Sequence, residues 1–460
     1  MPDHSGKGIT AVVDETSALA FLCARLNVEQ VAPASLNTAE VFTLARMSRL
    51  MNELGNPHPP HLAYRTIHIA GSKGKGSVCE MVASALVACG YSVGLYTSPH
   101  LEHLSERIRV GGVNITPAQF TSAISAVAAA VQRVPELTGA TYFECLTAAA
   151  FWHFQQSGVE VAVIETGLGG RDDATNVVAP LVAAITAIQL EHTQILGDTL
   201  GRIAMAKAGI MKSGAVAITI AQNPEAAAVI RTESRKVGCP LWVVGADIGY
   251  SHRYQEGADG VQQMTVSIQH GSATFADCPV PFPGEHQALN CGLALSIIAE
   301  LSNQGWHLPA ASVAAGIAQT PRRGRMELVR TQSPRVVIDG AHTPDSLSAL
   351  LRTLAGAMRY ESLMVVFGAA ADKDLSGMMK ALAGGADKVY FTRAKESRRA
   401  ANPDELLAAY EAVRGGMAQA MPDIRSSLRE AMRVAQRNDL VLATGSNAVA
   451  GEARTILHGV

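Results

Sequence analysis

Residues 69–78 read IAGSKGKGSV, and the reading of the whole chain turns on them. The apolar run 67–70 before the glycines reads as a short strand. The stretch 78–89 after them carries helix-period apolar residues and stops at Gly90, and 92–96 is strand-like again. Together they make a β–α–β unit. Gly71, Gly74 and Gly76 let the backbone curl so that successive N–H groups converge, and the following helix offers its positive N-terminal end to the same point. Such a loop cradles phosphate: Lys75 is placed to reach β/γ-phosphates and Ser77 to contact Mg2+. The spacing departs from the common phosphate-loop form, which has glycine where Ile69 stands, so spacing alone leaves a plain strand–helix turn open. Lys73 is expected at the solvent or metal-side rim.

Later stretches decide between these. In VIETGLGGRDDATN, 163–176, a buried apolar strand ends in Glu165 ahead of a glycine turn, Arg171 and two aspartates. A carboxylate at a strand end opposite a phosphate loop is a natural Mg2+ ligand; read otherwise, Glu165 is a solvated strand terminus. YTSPHLEHLSERIRVGG, 96–112, follows the second strand, on the edge where open α/β sheets bind ligands. His192 follows another strand in the same way, as a ligand or as a structural histidine.

The 460 residues exceed what one hydrophobic core usually organises. An apolar fraction of 48% with 17% charge is that of a packed protein and argues against disorder. With 38 Lys+Arg against 40 Asp+Glu and no basic block, a nucleic-acid surface is not indicated. The opening MPDHSGKGIT has no signal-like apolar core, and the most apolar stretch, 177–190, is interrupted by Pro180 and too short for a bilayer. A soluble cytoplasmic protein is expected. The seven cysteines are scattered without a C-x-x-C pair and read as buried thiols.

Helices are expected at 18–26 and 41–54, ending at Gly55-Asn56-Pro57, and at 145–155 and 286–301. Strands are expected at 159–165, 181–190, 215–220 and 241–244, and a small antiparallel sheet between 247 and 283. After the arginine-rich TPRRGRMEL, 320–328, the pattern resets, with strands at 336–338, 364–367, 388–392 and 440–443. The expected fold is α/β: a phosphate-loop, mostly parallel sheet domain with N-terminal helices and an added antiparallel sheet over 1–320. A smaller Rossmann-like α/β domain follows over 321–460. Monomer is expected, since no heptad pattern stands out.

The loop GSKGKGS, YTSPHL, ETGLGGRDDATN, EHT (191–193), KAGI (207–210), GEHQALN (284–290), DGAHTP (339–344), FGAAADKD (367–374) and TGS (444–446) together resemble the folylpolyglutamate synthase/dihydrofolate synthase family of the Mur ligase superfamily, in order and over essentially the whole length. The resemblance implies ATP-dependent addition of L-glutamate to a folate-type carboxylate through an acyl phosphate, in folate biosynthesis and one-carbon metabolism. It implies that Gly71, Gly74, Lys75, Gly76 and Ser77 bind ATP phosphates, and that Asn290, Arg325, Asp339 and His342 contact the nucleotide from the domain seam. Ser77 and Glu165 would hold one Mg2+, and Ser98, Glu165 and His192 a second. Lys207 matches the lysine that is carbamylated in the family, and is otherwise an ordinary helix lysine; Lys75, His342 and Lys207 are the implied catalytic groups. Arg107 and Ser446 are candidates for the glutamate, and the loops around SPHLEHL and GGRDDATN, with Asp173, for the pterin. Partners would be small molecules alone, with no nucleic acid or membrane.

The sequence departs from the family form at Ser72-Lys73, at Glu191 before the histidine, at Ala206 before Lys207 and at Thr343. PRRGR leaves Arg322, Arg323 and Arg325 as alternatives for the nucleotide contact. None of these removes a phosphate or metal group. Competing readings are a Mur-type ligase acting on another carboxylate and a phosphate-loop kinase or NTPase, which would need no glutamate. A non-catalytic nucleotide-binding module fits less well with Lys75, Ser77, Glu165 and His192 in place.

Overall fold

The computed structural model describes residues 11–29, 41–56, 64–256, 262–395, 397, 399–413 and 417–459. The opening decapeptide and Pro57, both read above, lie outside them. The first sheet contains β1 (Arg65–Ala70), β2 (Val93–Tyr96), β3 (Ile108–Val110), β4 (Val113–Asn114), β5 (Val161–Glu165), β6 (Val182–Ile185), β7 (Val216–Thr219) and β8 (Leu241–Val243). Their order is β4-β3-β2-β5-β1-β6-β7-β8, parallel except that β3 pairs antiparallel with both β2 and β4. Strands β1, β2, β5 and β6 are buried almost without a break, which is why β2, β5 and β6 read as apolar runs, while β1 also buries Thr66 and His68. The first strand lies between β5 and β6, with Ile69 opposite Glu165 and Ala70 opposite Ile185. The loop after β1, the Glu165 end of β5 and the chain leaving β6 therefore open on one edge.

The strand expected at 181–190 ends at Ile185. Beyond it the chain turns to the phosphate loop: the Ala187 carbonyl accepts from Ser72 N at 2.9 Å and Lys73 N at 3.2 Å. Hydrogen bonds that would have extended the sheet hold the loop instead.

Helices cover both faces. Glu15–Cys23, Leu44–Glu53, Pro117–Arg133 and Tyr142–Gln156 share one core, with Phe21, Met47, Phe120 and Phe151 in it. On the other face Lys75–Ala88 packs with Glu285–Asn303 and Ala310–Ala318. The antiparallel strands β9 (Gly249–Glu256), β10 (Gln262–His270) and β11 (Ala273–Pro279) join this second core through Val266, Ile268 and Phe275. Sandwiched between the two sheets, Glu285–Asn303 is buried along most of its length, which explains its lack of a polar face. No described helix is long and apolar enough to cross a membrane.

The second sheet has β12 (Glu327–Arg330), β13 (Arg335–Ile338), β14 (Leu363–Phe367), β15 (Lys388–Phe391), β16 (Ala418–Ala420) and β17 (Leu440–Thr444). The order is β12-β13-β17-β14-β15-β16, with β12 antiparallel. Helices Pro344–Ala357, Leu375–Ala383 and Pro403–Glu411 cover one face, and Ile424–Val434 and Asn447–His458 the other. The strands β3, β4, β12 and β16 were not read in the sequence, because each is only two to four residues long.

The two sheets meet over the loop that follows β2. Glu102 accepts from Arg454 and, at 2.8 Å, from the Thr455 hydroxyl, while Arg454 Nε donates to Glu327 at 3.0 Å. Gly451 lies against the Leu101 carbonyl so closely that a Cβ there would overlap it. Gly451→Val should therefore pry the second sheet from this loop. Denaturant unfolding should show a loss of about 1–3 kcal/mol, with faster proteolysis at the seam.

Candidate active site

The phosphate loop ends at Gly74, which N-caps Lys75–Ala88 at φ 93° without any side-chain cap. The first amides of that helix are left for an anion. Three glycines admit three neighbours. A Cβ at Gly71 would overlap the Thr186 hydroxyl after β6, one at Gly74 would meet the Asn290 amide, and one at Gly76 would sit 2.5 Å from Arg325 Nη2. The loop is thus gripped by its own sheet, by Glu285–Asn303 and by an arginine that leads into the second sheet.

Of the three arginines left open by the sequence, Arg325 is the one over the loop. Arg322 is exposed, and Arg323 reaches Asn114 Oδ1 at 3.5 Å. Asp339, at the end of β13, accepts from Met326 N at 2.9 Å and Ala341 N at 2.8 Å, and so pins the turn that carries Arg325. Burial pushes the Asp339 carboxyl up to about 6, despite those two amides. The ring of His342 bonds through Nδ1 to the Gly340 carbonyl at 2.8 Å; because that carbonyl only accepts, Nδ1 carries the proton. Burial, with Lys73 facing it, lowers His342 to about 4.

Beside the loop, cations crowd together. Lys75 Nζ at 3.0 Å and Lys207 Nζ at 2.7 Å both donate to the Gly71 carbonyl. Lys207, in the last turn of Leu200–Ala208, is buried, and desolvation with Lys75 opposite brings it down to about 7. Glu191 stands 3.3 Å from Lys73 and 3.6 Å from Lys207. Burial opposes its ionisation, but Lys75, Lys207 and Lys73 outweigh that and hold it below the ordinary carboxylate range. Lys73 accordingly lies on the rim, paired. Lys373, inside FGAAADKD, faces this cluster from the second sheet; burial lowers its pKa, with Lys73 and Arg399 adding and Asp372 opposing. The motif was legible in the sequence, but no residue of it was singled out there.

Glu165 is buried at the end of β5, where burial raises its pKa against the pull of Lys75, and it accepts from Ser98 N at 3.1 Å. Ser77, Ser98, Glu165, Gly74, Asn290, Arg325 and Asp339 all line one cleft of about 390 Å³ between the two sheets. His192, in a left-handed conformation, is not among the lining residues; burial lowers it to about 4, with the carboxylate of Glu191 opposing. Among the described residues no three His, Cys, Asp or Glu side chains come close enough to share a metal ion. Of the expected set, Ser98 and Glu165 share the cleft lining and His192 lies outside it. Ser77 with Glu165 remains a donor pair suited to Mg2+, which takes one or two carboxylates and completes its shell with water and phosphate oxygens.

Three candidate substrate contacts are occupied within the protein. Arg107 is buried, its Nη1 and Nη2 donating to Glu29 at 2.7 and 2.6 Å, so it is not free for a glutamate carboxylate. Ser446 caps Asn447–His458 by accepting from Val449 N at 3.2 Å, and donates to the Gly368 carbonyl at 3.0 Å. Asp173 accepts from Leu168 N at 2.7 Å and from Thr175 N at 3.1 Å, bracing its own loop. Its neighbour Arg171 pairs with Glu233 at 2.7 Å.

Residues 69–298 match the Mur ligase middle domain, and 324–447 the Mur ligase glutamate ligase domain. The chain is 36% identical to a probable bifunctional folylpolyglutamate synthase/dihydropteroate synthase of Halobacterium salinarum, 88% of this chain aligning with 48% of that protein. It thus spans about half the length of that haloarchaeal relative. It is 33% identical to the folylpolyglutamate synthase of Lacticaseibacillus casei, over 90% of this chain and 94% of that one. Among solved structures, Mycobacterium tuberculosis folylpolyglutamate synthase complexed with ADP and AMPPCP superposes with a TM-score of 0.84 at 33% identity, covering 96% of this chain and 99% of that one.

Two outcomes follow from the geometry. Gly74→Ala combines a left-handed φ with a collision at Asn290, and should weaken nucleotide binding by calorimetry about tenfold or more while leaving the fold intact. Lys207 titrates near 7 when folded against an ordinary value of 10.5, so between those values the unfolded chain binds more protons and this group's contribution to stability rises with pH. Lys207→Met should flatten the rise across that window in thermal-shift curves.

Proposed function

We propose that this chain, which belongs to the folylpolyglutamate synthase/dihydrofolate synthase family, is an ATP-dependent ligase joining L-glutamate to the carboxylate of a folate-type acceptor. That acceptor is dihydropteroate, a tetrahydrofolate polyglutamate, or both. The observation that carries the reading is the phosphate loop with Lys75 at its helix N-terminus, covered by Arg325 and opening beside buried Glu165 in the interdomain cleft.

The chemistry follows from charge. A triphosphate and two carboxylates repel one another, so a site that brings them together must supply cations where charge develops. Lys75 and Arg325 flank the place where γ-phosphate would lie. The acceptor carboxylate takes the phosphoryl group, ADP leaves, and the amine of glutamate displaces phosphate to form the amide. His342, held by Gly340 and neutral, offers an unprotonated Nε2 at the seam without adding charge. Lys373 and Lys73 face each other across the seam, beside Glu191, and make that side attractive to the carboxylates of the incoming glutamate.

Ser77 and Glu165 would hold a Mg2+ ion, which would screen the phosphates when bound. Lys207, brought to about 7, is partly neutral at physiological pH, and a neutral amine is what CO2 carbamylates. In the same reading the enzyme works as a cytoplasmic monomer on small molecules.

Phosphate release from Mg-ATP, with L-glutamate and either dihydropteroate or tetrahydrofolate, tests the proposal. Release that requires glutamate and one pterin supports it and names the acceptor. Glutamate-independent release, or none with either pterin despite tight ATP binding, overturns it. Replacing His342 or Lys75 by alanine should lower turnover by about 10²-fold or more; His342→Ala with full turnover would remove that residue from the scheme.

A further inference from the structure

Arg107 leaves an unusual mark on the ring beside it. Its guanidinium is 1% exposed, and its two terminal nitrogens meet both oxygens of Glu29 in a fork. The remaining donor, Nε–H, points at His100 Nδ1 from 2.9 Å. An arginine side chain only donates and does not lose its proton in a protein. His100 Nδ1 must therefore accept, and a neutral imidazole that accepts at Nδ1 carries its hydrogen at Nε2. His100 is half-buried and lines the same cleft as Ser77, Ser98 and Glu165.

We propose that His100 contacts the acceptor substrate, and that Glu29 and Arg107 act as positioning residues which hold its ring in the Nε2–H tautomer, presenting an uncharged donor to the anionic oxygens of the acceptor. The acceptor's identity rests on the function proposed above; the tautomer lock does not. An uncharged donor suits this place. The cleft already has cations for the phosphates, and a further cation would hold the acceptor carboxylate in its ground state as firmly as in the transition state. A neutral N–H orients that carboxylate with less penalty on its reactivity.

The lock reaches further than the loop. The Glu29 backbone carbonyl accepts from Arg399 Nη1 at 3.0 Å, and Arg399 pairs with Asp372, next to Lys373. Arg399 and Asp372 belong to the second domain. Glu29 is 39% exposed, so it can serve as counter-ion to a buried guanidinium without itself being wholly desolvated.

The test uses glutamine and asparagine as imidazole mimics in the full chain. Glutamine sets its amide near the Nε2 position of a histidine and asparagine near Nδ1. With saturating Mg-ATP and L-glutamate, His100→Gln should keep the KM for dihydropteroate or tetrahydrofolate within about twofold of the parent. His100→Asn and His100→Ala should raise it about tenfold or more, with kcat within about threefold. Imidazole ¹⁵N spectra of the parent, assigned by the spectrum that His100→Gln loses, should show His100 as Nε2–H and should shift its Nε2 signal when the pterin is added. Arg107→Lys should mix the tautomers; should that variant fail to fold, the parent spectra and the His100 variants still decide. Equal KM for the glutamine and asparagine variants, an Nδ1–H tautomer, or a signal indifferent to pterin in an active enzyme would each overturn the proposal. An inactive parent with an Nε2–H ring would overturn the substrate contact along with the proposed function, and leave the lock standing.

Discussion

Two ammonium groups donating to one carbonyl, that of Gly71, set the terms for everything around it. Lys75 and Lys207 come from different helices, and Lys73 stands close by. In a partly desolvated setting such like charges repel strongly unless an anion lies among them. Glu191 answers part of that charge, while burial, with Lys75 opposite adding to it, brings Lys207 down to about 7. The loop is preorganised for an anion carrying several charges: the electrostatic cost of assembling the cations is met in folding, so that it need not be met during reaction.

This requirement explains the glycines and the second domain together. A cation cluster without bulky side chains on the loop leaves room for close approach, and the neighbours that use the room are Thr186, Asn290 and Arg325. Arg325 is aimed by Asp339, whose carboxylate binds backbone on both sides of the turn. A residue expected to touch nucleotide is therefore first a brace for the residue that lies over the phosphate loop. Asp173 does the same within its own loop, and Arg107 does it for His100. In each case a charged side chain that looked available for a ligand makes hydrogen bonds that hold a neighbour in position.

The loop after β2 joins the halves. It carries Ser98 and His100 on the cleft side, and Leu101 and Glu102 against the second domain. A shift of the second domain must move this loop or break the Arg454–Glu102 pair. Substrate placement and domain position are coupled through a few residues.

Local chemistry determined much of this from the sequence. Apolar runs marked β2, β5 and β6, since parallel strands covered on both faces have little polar side to show. The strand–glycine–helix unit, the carboxylate at the end of β5 and the antiparallel insert were legible because each depends on neighbours in the chain. Tertiary structure decided what depends on distant partners. The strand at 181 stops at Ile185 because Ala187 binds the phosphate loop. Arg325, and not Arg322, lies over Gly76 because Asp339 pins the turn, and Arg107 is spent on Glu29, a residue 78 positions away. Residue type records that an arginine needs a counter-charge; which carboxylate supplies it is settled only when the chain path brings the two together and removes water from between them.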